Sequence, residues 1–127
     1  MNMRDWDFIG RRPRHQAAVA EAVQVDVERG DDAPTSTVAA ELVDFSRHGA
    51  RVRAEAALAQ DELVAIRLRQ PTTGLDVALP GAVRWRSQEA SGHWLYGCQF
   101  KEEVPLEMLG ELFLCGILSA RPPASSG

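Results

Sequence analysis

The sequence predicts a small, mainly β domain: six or seven short strands rolled into a barrel, then one C-terminal helix. Three observations carry this. Apolar and polar residues alternate with a period of two through most of the chain. Gly- and Pro-containing segments break that alternation at short intervals. After Pro105 the apolar period lengthens to that of a helix.

Residues 1–17 are polar and Arg-rich without a sustained period, and Pro13 cannot donate to a β-ladder, so they are expected to form a mobile arm. Val23, Val25 and Val27 alternate with Gln24, Asp26 and Glu28 as a strand with one apolar face, and Gly30 to Pro34 form a loop. Val38, Ala40 and Leu42 continue as a second strand to about Asp44. Ala50, Val52 and Ala54 set against Arg51, Arg53 and Glu55 give a third. Val64, Ile66 and Leu68 form the next, and Pro71 to Gly74 turn the chain into a short strand at Leu75 to Leu79. Pro80-Gly81 reads as a break before a Val83-to-Trp85 strand. Trp94, Tyr96, Cys98 and Phe100 then mark one face of the last strand.

Leu106, Leu109, Leu112, Phe113 and Ile117 fall at helical spacing, with Glu107 and Glu111 facing away and Pro105 at the start. Such a helix packs on an open barrel end or on a partner. Residues 120–127 have the composition of a disordered tail, leaving 18–119 as one barrel domain with its helix. Closure into a barrel removes sheet edges that would otherwise aggregate.

Composition narrows the function. The chain has 127 residues, is 45% apolar and carries a net charge of −4, which suits one soluble domain and excludes the broad basic face of a general DNA- or RNA-binding protein. No apolar run approaches the ~20 residues of a membrane span, and the start lacks a signal-peptide layout, so a cytoplasmic protein without membrane insertion is expected. Cys98 and Cys115 sit in apolar patterns and are read as reduced, packed thiols in preference to a disulfide. His15, His48 and His93 are scattered, so no metal site is expected. Asp44, Ser46 and His48 along one extended segment cannot converge into a nucleophile, base and orienter, so catalysis is not expected.

The strongest local signal is Asp44-Phe45-Ser46-Arg47-His48-Gly49, which has the form D-x-S-x-x-G between two predicted strands and continues as Ala50-Arg51-Val52. With the Arg-rich arm upstream, the Val83-to-Trp85 strand, the Tyr96-Gly97-x-x-Phe100 strand and a closing helix, it resembles the PilZ domain family over nearly the whole chain. The resemblance implies a six-stranded antiparallel barrel with a C-terminal helix. It also implies a stand-alone receptor for the second messenger cyclic di-GMP, held by an R-x-x-x-R arm together with the D-x-S-x-x-G turn, without a further cofactor. Carried onto this chain, the implied ligand residues are Arg11, Arg12, Arg14, Asp44, Ser46 and Gly49. The implied partner is an effector protein in motility, pilus or polysaccharide control.

These residue types suit that ligand. A guanidinium meets a phosphate bidentately, forks onto guanine O6 and N7, or stacks on a base. A carboxylate such as Asp44 accepts from guanine N1 and N2, and the Ser46 hydroxyl donates to a phosphate or steadies the turn. Gly49 is expected to take a positive φ. The arm departs from the family pattern: His15 follows Arg11 by four residues, Gln16 follows Arg12, and Gly10 precedes Arg14. The alternative is therefore a protein-interaction module of the same fold that has lost nucleotide binding, in which Asp44 and Ser46 serve only as turn formers and the arginines as a solvated tail. Arg51, Arg53, Arg67, Arg69, Arg84 and Arg86 are expected on the barrel's outer face, and Trp85, Trp94, Tyr96 and Phe100 in its core.

Overall fold

The computed structural model describes residues 15–16, 23–30 and 36–118. The strands are β1 (His15–Gln16), β2 (Gln24–Arg29), β3 (Ser36–Phe45), β4 (Gly49–Ala54), β5 (Leu63–Gln70), β6 (Leu75–Gln88) and β7 (Trp94–Phe100), and the helix is α1 (Leu106–Leu114). All pairings are antiparallel, in the order β1-β3-β2-β5-β6-β7-β4, and β4 also pairs with β3. That last pairing closes β2 to β7 into a six-stranded barrel. The first strand lies outside the closed ring, on the edge of β3.

Alternation puts Val25, Val27, Leu42, Val52, Val64, Ile66, Leu68, Val83, Tyr96 and Cys98 inside, all buried. The Tyr96 hydroxyl would be costly in this core without partners. It accepts from Leu58 N at 2.7 Å and donates to Ala56 O, which ties residues 56–58 across one barrel mouth. Arg29 clamps Glu62 through two hydrogen bonds, and that guanidinium holds the Glu62 carboxyl below the usual carboxylate range.

Four sequence expectations change. Pro80-Gly81 does not break a strand: β6 runs unbroken through both. The Pro80 carbonyl accepts from Lys101 N at 2.8 Å, and a strand residue's donor and acceptor point the same way. The missing proline N–H therefore falls past Phe100, where β7 ends, and no ladder bond is lost.

The second and third changes share one cause. A bulge between Val83 and Trp85 resets the alternation, so Trp85 lies opposite Gly97 on the outside while Arg86, opposite the buried Tyr96, points to the inner side. There Arg86 donates to Leu58 O at 2.9 Å and lies 5.1 Å from the Trp94 ring centre. Trp85 is therefore not in the core, Arg86 takes the inward register yet stays exposed at the rim, and Trp94 is only half-buried beside it.

Fourth, Ile117 is not on the helix. The chain leaves α1 through Gly116 at φ 77°, with Gly116 N bonded to Phe113 O and Ile117 N to Leu112 O. This left-handed turn swings Ile117 back into the core, where it is 1% exposed.

His15 and Gln16, assigned to the arm by sequence, form β1. Arg11, Arg12, Arg14, the other arm residues, 31–35 and the tail lie outside the described residues.

Both cysteines are free. Burial pushes the Cys98 thiol up to about 12, whereas Cys115 is partly exposed. Ellman titration of the native protein at pH 8 should therefore show one reactive thiol and, after denaturation, two. Two fast thiols in the native state would contradict this packing.

Candidate functional site

The D-x-S-x-x-G segment lies at the seam where β3 turns into β4. Ser46 N donates to Gly49 O at 2.8 Å. The Ser46 hydroxyl also donates to that carbonyl, at 3.3 Å, and accepts from His48 N at 3.2 Å. Ser46 is 1% exposed, so its side chain is part of the turn's internal bonding.

Gly49 is required for a reason other than the expected one. Its φ is not positive. It pairs with Gln99 of β7, and a Cβ at this position would collide with the Cys98 carbonyl oxygen. Glycine therefore permits close approach of two backbones, with no left-handed turn involved.

Register assigns the neighbouring side chains to faces. Phe45, Ala50, Cys98 and Val83 form one cross-strand row, all buried inside, and Phe45 packs on Phe100 with ring centres 5.4 Å apart. The adjacent row therefore belongs to the outside: Asp44 opposite Arg51, Arg51 opposite Gly97, Gly97 opposite Trp85. Asp44 is nonetheless only 1% exposed. Arg51 Nε donates to Asp44 Oδ2 at 2.8 Å, and Arg51 Nη2 bonds the same oxygen. This pair has a buried carboxylate and a partly exposed guanidinium.

The arm enters at the same place. Gln16 pairs with Asp44 and His15 with Phe45, on the edge of β3 opposite the one that β4 uses. Arg14 precedes His15 by one residue and Arg11 by four.

The far side of the turn is fastened to the chain leading into α1. His48 O accepts from Phe100 N, and Arg47 O accepts from Val104 N, each at 2.8 Å. Arg47 Nε returns a bond to Val104 O at 2.8 Å, and Glu103 faces both Arg47 and His48 Nε2, the latter at 3.0 Å.

Of the sequence candidates, the structure therefore brings Asp44, Ser46 and Gly49 together and places β1 beside them. Arg51 and Trp85 were missed as site residues. Arg51 reads as one of many outer arginines, and only the bulge turns Trp85 outward. Two clefts lie elsewhere. One, of about 820 Å³, crosses Ala65, Pro80, Ala82 and Gln99, and the other, of about 580 Å³, opens between Ala40 and Ala54. Neither is lined by Asp44 or Ser46. Among the described residues no group of three or more His, Cys, Asp or Glu is placed to hold a metal. None of the described helices is long and apolar enough to cross a membrane.

Comparison with known proteins agrees with this geometry. The family model described as PilZ domain matches residues 11–114, from Arg11 in the arm to the last residue of α1. No curated protein matches the chain.

The seam also makes a prediction about stability. Gly49→Ala forces a methyl group onto a backbone carbonyl and should cost about 1–3 kcal/mol, whereas Ser46→Ala removes only the turn's side-chain bonds and should cost about 1 kcal/mol. Urea midpoints at equal m-value test the order. A Gly49→Ala variant as stable as the wild type would show that the two backbones are not in close contact.

Proposed function

The chain belongs to the PilZ domain family, and on that premise we propose that it is a cytoplasmic, non-enzymatic receptor that binds cyclic di-GMP between its arm and its D-x-S-x-x-G turn and relays binding to a protein partner. The observation that carries this reading is the pairing of His15 and Gln16 with Phe45 and Asp44, which brings the arm to the turn's own edge. In this reading Arg11, Arg12 and Arg14, one to four residues before β1, supply guanidiniums and Asp44 supplies a carboxylate. The guanidiniums serve phosphate and guanine, and the carboxylate serves the guanine N–H donors. Gly49 contributes the close backbone approach that fixes the turn.

Arg51 and Trp85 extend this reading. They occupy the outer row that begins at Asp44, with strands about 4.8 Å apart, so a flat purine lying along that row has a guanidinium and an indole to stack on.

One observation favours the second reading, an interaction module without nucleotide binding. The Ser46 hydroxyl already spends its single donor on Gly49 O, and Asp44 already receives Arg51. A Ser46 donor bond to a ligand has to replace the one to Gly49 O, and a ligand at Asp44 shares the carboxylate with Arg51. The arm's departure from R-x-x-x-R points the same way.

Titration calorimetry separates the two. A receptor gives saturable heat with cyclic di-GMP, and Arg11→Ala, Arg12→Ala and Arg14→Ala together abolish it. No heat at hundreds of micromolar nucleotide would reject reception and leave the interaction module.

A further inference from the structure

Helix α1 carries more apolar surface than its packing on the barrel uses. An amphipathic helix needs an apolar stripe about 100° wide to face its core. Leu112 is fully buried, with Met108, Leu109 and Phe113 packed partly against the core around it. Leu106, Gly110 and Leu114 fall at i, i+4 and i+8 on the adjoining face. Leu106 is 66% exposed and Leu114 89%. Among the described residues the only other exposed large apolar side chain is Leu63, on β5.

Gly110 is an independent sign on the same face. Glycine inside a helix is less stable than alanine. A Cβ at Gly110 would meet nothing within 4 Å, so the chain's own packing does not demand the glycine. A second helix crossing close over this point would demand it.

The border of the face is acidic. Glu107 and Glu111 run beside it, both exposed, and Glu102 and Glu103 precede the helix. Lys101 is the only cation between residues 101 and 114. We propose that the Leu106, Gly110 and Leu114 face is the docking site for a helix of a partner protein, one whose apolar stripe is bordered by lysine or arginine. Charge complementarity selects this occupant. A second copy packed antiparallel over Gly110 would set Glu107 and Glu111 against the same residues of its twin, and like charges across an interface are destabilising. The inference deepens the partner-relay part of the proposed function and is independent of the nucleotide. Its connection to the turn is short: Leu106 lies two residues beyond Val104, which exchanges hydrogen bonds with Arg47.

The test uses the full chain without nucleotide and a labelled helical peptide of about five turns, bearing a leucine stripe flanked by lysines, alongside a twin with glutamate for each lysine. In fluorescence anisotropy at low salt the lysine peptide should bind at least about tenfold tighter than its twin. Glu107→Lys with Glu111→Lys should reverse that order, and Leu106→Ala with Leu114→Ala should remove binding of both peptides. Gly110→Ala should raise the thermal midpoint while weakening the lysine peptide. Equal binding of the two peptides, or binding that survives Leu106→Ala with Leu114→Ala, overturns the proposal. So does a dimer seen by light scattering that those leucine substitutions dissociate. A negative calorimetric titration with cyclic di-GMP bears on the receptor reading alone, so the two failures are distinguishable.

Discussion

The pairing of β3 with β4 closes the sheet on itself, and the position of that seam determines most of what surrounds it. The third strand has ten residues and serves three partners: β2 along Ser36 to Ala40, β4 from Glu41 onward, and β1 at Asp44 and Phe45. Closing the ring within so tight a turn brings backbones together at Gly49, where only a glycine fits against the Cys98 carbonyl. It also leaves the β1-side edge of β3 open beyond Ala40, because β2 pairs no further. The arm's strand occupies that edge. The turn motif and the arm thus belong to one structural solution, although some thirty residues of sequence (14 to 44) separate Arg14 from Asp44.

The same turn is fixed on its other side to the chain between β7 and α1. Backbone bonds donated by Phe100 N and Val104 N to the His48 and Arg47 carbonyls, the Arg47 side chain on Val104 O, and Glu103 facing Arg47 and His48 make this a short, well-bonded connection. At its far end Gln70, 4% exposed, donates to Cys115 O and anchors the C-terminus of the helix to β5. A helix held at one end by backbone bonds and at the other by the Gln70 side chain presents its outer face in a fixed direction. That suits a surface meant for docking more than one meant to move.

Much of this was legible in the sequence because alternation with period two survives wherever one face is buried. Val25 and Val27, Val64 to Leu68, and Tyr96 to Phe100 all face the side their pattern predicts. What was hidden depends on backbone events that leave no mark in residue type. The bulge beside Arg84 exchanges the faces of Trp85 and Arg86. Pro80 is tolerated in mid-strand because its missing donor falls beyond the end of β7, which is a fact about a distant strand. Gly49 announces a special position without saying which kind, and Gly116 marks the helix end only once its positive φ is seen. A two-residue strand such as β1 is too short to have a period at all. In the candidate site, Asp44, Ser46 and Gly49 could be read from their motif, whereas the outer row joining Asp44 to Arg51 and Trp85 required the register.

The central claim is that arm and turn form one two-sided site for a cyclic dinucleotide. Backbone amide spectra of isotope-labelled protein titrated with cyclic di-GMP address it most directly, because they report each side separately. A shared site predicts that His15, Gln16 and the amides from Phe45 to Gly49 shift together and saturate on one binding curve, with the Trp85 indole N–H following. Saturating nucleotide that leaves these signals in place, or that moves only residues remote from the seam, would contradict it.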